Sequence, residues 1–140
     1  MALDEGSCCF NVLATRAVFS FIGFPAQPER HLYLHHDGYP TGAAWRLSQA
    51  LRHAPSPSEL LAGFLITQPG AVTLANAEEA GDAAYCYRVQ LIAGREPTLE
   101  LQCWRRLPAE SSWIRRCGSM PLAAFIQRFL PGDAQSTVDC

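Results

Sequence analysis

The residues best suited to chemistry stand together in one stretch, His35-His36-Asp37. Two imidazoles and a carboxylate can bind a metal ion or act as a general acid and base. Apolar and polar residues alternate from 31 to 35, which predicts a strand in which His31 and His35 share one face. At about 3.3 Å per residue these two histidines lie roughly 13 Å apart, and His36 points to the other face. A single ion cannot reach all of these side chains. A metal or acid–base site here would therefore need a further polar group from elsewhere in the chain.

The same stretch is also typical of a tight turn between a strand and a helix. Asp37 can accept a hydrogen bond from the backbone, Gly38 tolerates a positive φ, and Pro40 fixes its own φ. The hydroxyl of Thr41 would cap the helix that follows, although Pro40 as its first residue would move the start slightly earlier. We favour this interpretation, in which these four residues form a structural turn and the stretch has neither a catalytic nor a metal-binding role.

Hydrophobic periodicity predicts the elements that position this turn. The expected order is β-β-α-α-β-β-β-α, an α+β domain with a largely antiparallel sheet and helices packed on one face. The first two strands form a hairpin that ends at the turn, and the last three form a meander. In chain order we expect strands at 13–23 and 31–35, helices at 41–54 and 56–67, an optional short strand at 72–74, strands at 85–92, 98–106 and 111–117, and a helix from Ser119 to Pro131.

Composition limits the class of protein. The 140 residues, 49% of them hydrophobic, fit a single domain over 1–140, with 1–12 and 132–140 loosely ordered. A net charge of −2 excludes a generally basic nucleic-acid binder. The six cysteines lack the spacing of zinc or redox motifs, and no segment is typical of a signal peptide or a membrane span. We therefore expect a cytoplasmic protein with reduced cysteines, no cofactor and no membrane partner.

A second group of candidates lies in the predicted C-terminal hairpin. Alternation places Trp104 and Arg106 on the outer face, and we expect Trp113 to pair opposite Trp104, with Arg115 on the same face. Tryptophan and arginine are enriched at binding hot spots, and a guanidinium can stack on an indole. This face would bind a protein more readily than nucleic acid, because it has few cations for phosphates. The alternative is that the tryptophans only cover the second side of the sheet.

Cysteine or serine catalysis finds little support in the motifs. The chain contains no Gly-x-Ser-x-Gly elbow and no glycine-rich phosphate loop. A cysteine–histidine pair would require the fold to bring Cys86 or Cys103 to His35. Periodicity makes both cysteines ordinary strand residues, so we predict no catalytic cysteine.

The stretch from His35 to Gly42, with 64–71 and 81–87, resembles a group of small uncharacterised phage and mobile-element proteins built around a His-Trp-Asp-Gly-Tyr-Pro turn. The likeness extends from His31 to Val89. Histidine at position 36 replaces the usual tryptophan, which favours packing over metal ligation. The resemblance implies no chemistry. It implies an accessory protein of a mobile element that inhibits a host factor, such as a CRISPR–Cas defence system.

The sequence therefore predicts a non-enzymatic protein that binds another macromolecule, with an anti-CRISPR-type inhibitor as its narrowest form. Two alternatives stay open. One is a small metal-dependent or acid–base enzyme that uses His35, His36 and Asp37, in the turn from His35 to Thr41 that we call the histidine turn. The other is a structural protein that self-associates as a homodimer. The predicted binding residues are Trp104, Arg106, Trp113 and Arg115, followed by His35 and Tyr39.

Overall fold

The computed structural model describes residues 15–25, 27–107 and 112–131. The predicted loose ends, 1–12 and 132–140, lie outside these ranges. Within them, six strands form one sheet and three α-helices pack together. The elements are β1 (Ala17–Phe24), β2 (Gln27–Leu34), α1 (Pro40–Arg52), α2 (Leu60–Thr67), β3 (Val72–Leu74), β4 (Tyr85–Ile92), β5 (Thr98–Arg105), β6 (Ile114–Pro121) and α3 (Leu122–Phe129), with short 3₁₀ turns at Pro57–Glu59 and Ala77–Glu79.

The sheet has the strand order β3-β2-β1-β4-β5-β6. The predicted α+β class is confirmed, and so are the hairpin β1–β2 and the meander β4–β5–β6. One central pair, β1 with β4, is parallel, and every other pair of neighbours is antiparallel. Parallel neighbours need a long crossover. That crossover contains β2, α1, α2 and β3, so the hairpin and the meander become halves of one sheet.

The main core lies between the helices and one face of the sheet. Phe19 is fully buried, with its ring 5.0 Å from the rings of both Phe64 in α2 and Tyr87 in β4. Leu101 of β5 and Phe125 of α3 are also fully buried in the same cluster. Burying such side chains stabilises a fold by about 1.5–3 kcal/mol each. The aromatic core therefore joins the first strand, the meander and the helices into one body.

Small residues allow α1 and α2 to pack closely. Ala43, Ala44, Leu47 and Ala50 form the buried stripe of α1. Gly63 of α2 faces this stripe, where a Cβ atom would stand 2.5 Å from the carbonyl oxygen of Ala50. Contact this close requires glycine, because any side chain would push the two helices apart.

The predicted starts of the helices are wrong by one to three residues. Thr41 is not the N-cap of α1. Tyr39 occupies that position and Pro40 begins the helix, as proline does where the first N–H has no intrahelical partner. Ser119 lies in β6, and α3 begins after Pro121. Strand β6 is itself displaced from the predicted 111–117 to Ile114–Pro121.

The predicted capping box before α2 forms in a different way. The Ser56 hydroxyl donates to the Glu59 carboxylate at 3.1 Å and makes no side-chain cap to the backbone. Residues Pro57–Glu59 form a 3₁₀ turn, and the α-helix begins at Leu60. In the described ranges, the helices are too short or too polar to cross a bilayer.

Candidate binding site

The face of the sheet opposite the helices is crossed by rows of paired side chains. Because directly paired residues point to the same side of a sheet, the register fixes what this face contains. Its middle row is His31, Ser20, Arg88 and Gln102, from β2, β1, β4 and β5. The row above is Tyr33, Val18, Cys86, Trp104 and Arg115, and the row below is Glu29, Ile22, Gln90 and Glu100. We call this surface the open face.

The connection between β3 and β4 covers the upper row of the open face. Ala80 and Ala83 are buried against Val18, and Trp113 packs against the same cluster. The Arg106 guanidinium donates to the carbonyl oxygens of Ala80 at 2.7 Å and Ala83 at 3.0 Å. The Ala80 carbonyl also accepts from the Ala83 N–H at 3.1 Å, so the guanidinium adds bonds from the sheet to the backbone of the connection. Arg106 therefore holds the connection in place on the sheet.

A second anchor of the connection lies on Tyr33. Its hydroxyl donates to Asp82 at 2.7 Å, and Asp82 also pairs with Arg16 at 3.3 Å. Burial, with the hydrogen bond to Asp82 as the next cause, raises the pKa of Tyr33 to about 12. The phenol therefore stays protonated and remains a donor at physiological pH.

A cavity of about 360 Å³ opens over the middle row. Ser20, His31 and Arg88 line it from the sheet, and Trp104 and Trp113 line it from the side of β5 and β6. Ile22, Cys86, Glu29 and residues 76–78 complete the lining. Its mixture of apolar walls with a few polar groups is typical of ligand pockets. This cavity is the candidate site.

A chain of three hydrogen-bonded side chains crosses the cavity. Ser20 Oγ lies 2.7 Å from His31 Nδ1, and His31 Nε2 lies 3.2 Å from Glu29 Oε1. Serine, imidazole and carboxylate in this order form the relay of serine hydrolases. However, β1 pairs with strands on both sides, so its N–H groups are used by the sheet and cannot form an oxyanion hole. These hydrogen bonds give the buried hydroxyl of Ser20 a partner and fix the orientation of the His31 ring.

Each tryptophan of the site carries a stacked arginine. The Arg115 Cζ atom lies 4.9 Å from the ring centroid of Trp104, and the Arg106 Cζ atom lies 4.2 Å from that of Trp113. Cation–π contacts of this kind contribute about 0.5–1 kcal/mol at exposed sites. The four residues predicted from the sequence to form one face are therefore brought together.

The predicted pairing within this face is wrong. Trp104 lies opposite Arg115, not opposite Trp113, which stands just before β6. The ladder between β5 and β6 is irregular on both sides of Cys103. Between Cys103 and Trp104 the ladder takes up one extra residue of β6, so Arg115 and Cys117 point to opposite faces although they are two positions apart. A prediction from strict alternation could not place this break.

Arg88 differs from the other two arginines on the open face. It lines the cavity and is exposed, and it makes no hydrogen bond or ion pair with the residues the structure describes. Arg106 is bound to carbonyl oxygens and Arg115 is stacked on an indole. The guanidinium of Arg88 is thus a planar group of hydrogen-bond donors available to a ligand.

The cysteine of the cavity is held as a neutral thiol. Burial raises the pKa of Cys86 to about 11, against a smaller lowering by its hydrogen bond with Ser20, so the sulfur is a neutral thiol at physiological pH. Cys103 faces the helices instead, and burial raises its pKa to about 12. His35 lies beyond the end of β2, and the histidine that lines the cavity with Cys86 is His31.

The histidine turn is built by close backbone contacts. The left-handed residue is Asp37, with φ 55°, and not Gly38 as the sequence suggested. Gly38 is needed for a different reason, since a Cβ atom there would stand 2.8 Å from that of Ala17. Its N–H donates to the Thr15 carbonyl at 2.9 Å, and its own carbonyl accepts from the Tyr87 hydroxyl at 2.6 Å. The turn therefore fastens the end of β2 to β4.

The Asp37 carboxylate is engaged within the turn. It accepts from the Tyr39 hydroxyl at 3.3 Å and lies 4.0 Å from the Arg46 guanidinium, and its charge raises the pKa of Tyr39. Arg46 also donates to the His36 carbonyl at 2.8 Å. Among the residues that the structure describes, no three metal-binding side chains converge. The additional ligand that a metal site at this turn requires is therefore missing from the described chain.

The two remaining predicted binding residues lie apart. The His35 ring packs edge-on against Tyr33 at 4.7 Å, at the upper end of the open face. Tyr39 packs against the main core on the helix side. Arg88, Ser20 and Glu29 were not singled out from the sequence. Alternation places each on the open face, but only the parallel pairing of β1 with β4 brings Arg88 beside Ser20.

Comparisons with known proteins add no further constraint on the site. No family model, curated protein or solved structure matches the chain. The residues of the open face and their geometry are therefore the observations that bear on function.

Proposed function

We propose that this chain is a cytoplasmic, non-enzymatic protein that acts by binding a protein partner through its open face. The observation that carries this proposal is the pair of arginine-stacked tryptophans beside a cavity. Trp104 and Trp113 are half-buried, and each is stacked with an arginine. Tryptophan and arginine are the residues most enriched at binding hot spots. Rings that are already fixed lose little conformational freedom when a partner covers them.

The charges of the open face favour a protein over nucleic acid. Arg88 and Arg115 are exposed on it, but Glu29 and Glu78 stand at the same cavity. The chain as a whole carries a net charge of −2. Nucleic-acid binding depends on several cations that neutralise successive phosphates. A surface with both signs of charge is better matched to a protein surface, where the two kinds of charge also alternate.

The narrower proposal is an accessory protein of a phage or mobile element that inhibits a host defence system, in the manner of an anti-CRISPR protein. Its support is the sequence motif from His35 to Gly42, in which the described residues bring no three metal-binding side chains together. A stable inhibitor needs a rigid surface rather than chemistry. The buried aromatic core behind the sheet provides that rigidity.

Affinity capture followed by titration tests the proposal. Tagged protein is used to capture partners from a lysate of its native host, and the captured protein is then purified and titrated against wild type, Trp104→Ala and Trp45→Ala. Trp45 is 47% exposed on α1, away from the sheet, and is the matched control. We expect Trp104→Ala to weaken binding about 30-fold, or about 2 kcal/mol, with Trp45→Ala unchanged.

Two results would contradict this function. One is a Trp104→Ala variant that remains folded and binds the partner as tightly as wild type does. The other is a chain that forms only a homodimer, measured by light scattering as twice the 15.4 kDa of one chain, with dimerisation lost in Trp104→Ala. The second result would establish the self-association alternative.

A further inference from the structure

We propose that the cavity of the open face receives a single carboxylate together with the apolar group attached to it, and that Arg88 binds the carboxylate. In the partner, this would be an acidic residue next to an aromatic or large aliphatic one. This inference rests on the proposed function and specifies what the partner must present.

Arg88 provides the recognition of the carboxylate. Its guanidinium lines the cavity with no hydrogen-bond or ion-pair partner among the described residues. On its strand, Cys86 on one side is neutral, and Gln90 on the other carries no charge. A planar guanidinium binds a carboxylate through two parallel hydrogen bonds, which gives both strength and orientation. A planar anion is therefore the ligand that the guanidinium of Arg88 is best suited to bind in this cavity.

The rest of the cavity provides apolar walls. Ile22, Trp104 and Trp113 line the same cavity as Arg88, and Trp104 and Trp113 are stacked with Arg115 and Arg106 respectively. A volume of about 360 Å³ lies at the lower end of the range of about 300–1,000 Å³ for small-ligand pockets. It therefore suits one or two side chains rather than a nucleotide or a larger cofactor.

The charge of the lining selects one negative charge rather than two. Glu29 and Glu78 line the same cavity as Arg88. Both nitrogens of His31 are occupied by Ser20 and Glu29, so this ring has no free donor for an anion. A phosphate dianion would meet one available cation and two carboxylates, and such an arrangement repels it. A carboxylate brings half that charge and the planar shape that fits a guanidinium.

Small probes separate these contributions. We would titrate the ¹⁵N-labelled protein with N-acetyl-phenylalanine, with N-acetyl-phenylalanine amide and with phenyl phosphate, and follow the three indole N–H signals. Trp104 and Trp113 line the cavity, whereas Trp45 lies on α1 and serves as an internal control. We expect N-acetyl-phenylalanine to shift the indole signals of Trp104 and Trp113 and to leave that of Trp45 unchanged. Its affinity should be about tenfold higher than that of the amide, and also higher than that of phenyl phosphate.

Variants of two arginines complete the test. Arg88→Gln should remove the preference for the carboxylate while keeping weak binding of the amide. Arg95→Gln, at an exposed arginine in the β4–β5 turn, should behave as wild type. The inference is overturned if the amide or phenyl phosphate binds as tightly as N-acetyl-phenylalanine, if Arg88→Gln keeps the preference, or if the Trp45 signal shifts equally.

These results are independent of partner capture. If the probes behave as expected but no partner depends on Trp104, the carboxylate site stands and the proposed function fails. If a partner depends on Trp104 and the probes do not discriminate, the proposed function stands and the carboxylate site fails.

Discussion

Removing one hydroxyl, with Tyr87→Phe, tests how the histidine turn is fastened to the sheet. The Tyr87 side chain is fully buried, and its hydroxyl donates to the Gly38 carbonyl at 2.6 Å. Phenylalanine keeps the ring contacts with Phe19 and Phe125 and removes the hydroxyl, which also contacts the Cys103 thiol. The Gly38 carbonyl oxygen then loses this partner in the protein interior, which costs about 1–3 kcal/mol. In a chain of this size, the melting temperature should fall by about 3–9 °C.

Tyr85→Phe is the matched control for this prediction. Tyr85 is two residues away on the same strand, is also buried, and stacks on Tyr87 with ring centroids 5.9 Å apart. Its hydroxyl makes no hydrogen bond with the described residues, so its loss should change the free energy of unfolding by less than about 0.5 kcal/mol. Both variants are measured by thermal and urea unfolding. If Tyr87→Phe is no less stable than Tyr85→Phe, the hydrogen bond does not stabilise the turn and our reasoning is refuted.

Three further predictions concern stability and the site. Gly42→Ala places a Cβ atom against a backbone carbonyl oxygen and should lower the urea midpoint severely, whereas Gly70→Ala, which meets nothing within 4 Å, should not. The pKa of Tyr33 is raised to about 12 in the folded state, above about 10 when unfolded, so its contribution is complete below pH 10 and is lost as the pH rises to 12. Tyr33→Phe should therefore flatten the alkaline fall in stability in this interval, and an unchanged slope would contradict the shift. Arg106→Gln removes the bonds that hold the β3–β4 connection, and should broaden the indole N–H signal of Trp113 while the fold persists. A sharp, unshifted signal would show that Arg106 does not position this ring.

The antiparallel parts of the fold could be predicted because they depend on local patterns. The alternation through Phe19 and Phe21, and through Tyr87 and Val89, marks buried faces, and short turns allow only antiparallel neighbours. The pairing of Phe19 with Leu32 follows directly from the hairpin. Sequence reasoning therefore found the class of fold and most of its strands.

The parallel junction of β1 with β4 could not be predicted in the same way. Its partners, such as Ser20 and Arg88, are 68 positions apart by their numbers, and no local pattern records that separation. The irregular ladder around Cys103 is also invisible to periodicity. The sequence therefore pointed to both tryptophans, Arg106 and Arg115, but not to Arg88 or to the cavity.

The cavity and the histidine turn lie at different places, but both depend on the junction between the β1–β2 hairpin and the β4–β5–β6 meander. Ser20 and His31 come from the hairpin, whereas Arg88 and Trp104 come from the meander, so the cavity exists only where β1 pairs with β4.

The Tyr87–Gly38 bond joins the same two halves, since it runs from β4 to the residue that follows β2. A variant that weakens this bond should therefore lower stability without changing the affinity of the folded molecules. Its apparent affinity should fall only in proportion to the fraction unfolded. Titration of Tyr87→Phe with N-acetyl-phenylalanine, well below its melting temperature, should give the dissociation constant of wild type. A weaker constant would mean that the turn also sets the geometry of the cavity, in addition to holding the sheet together.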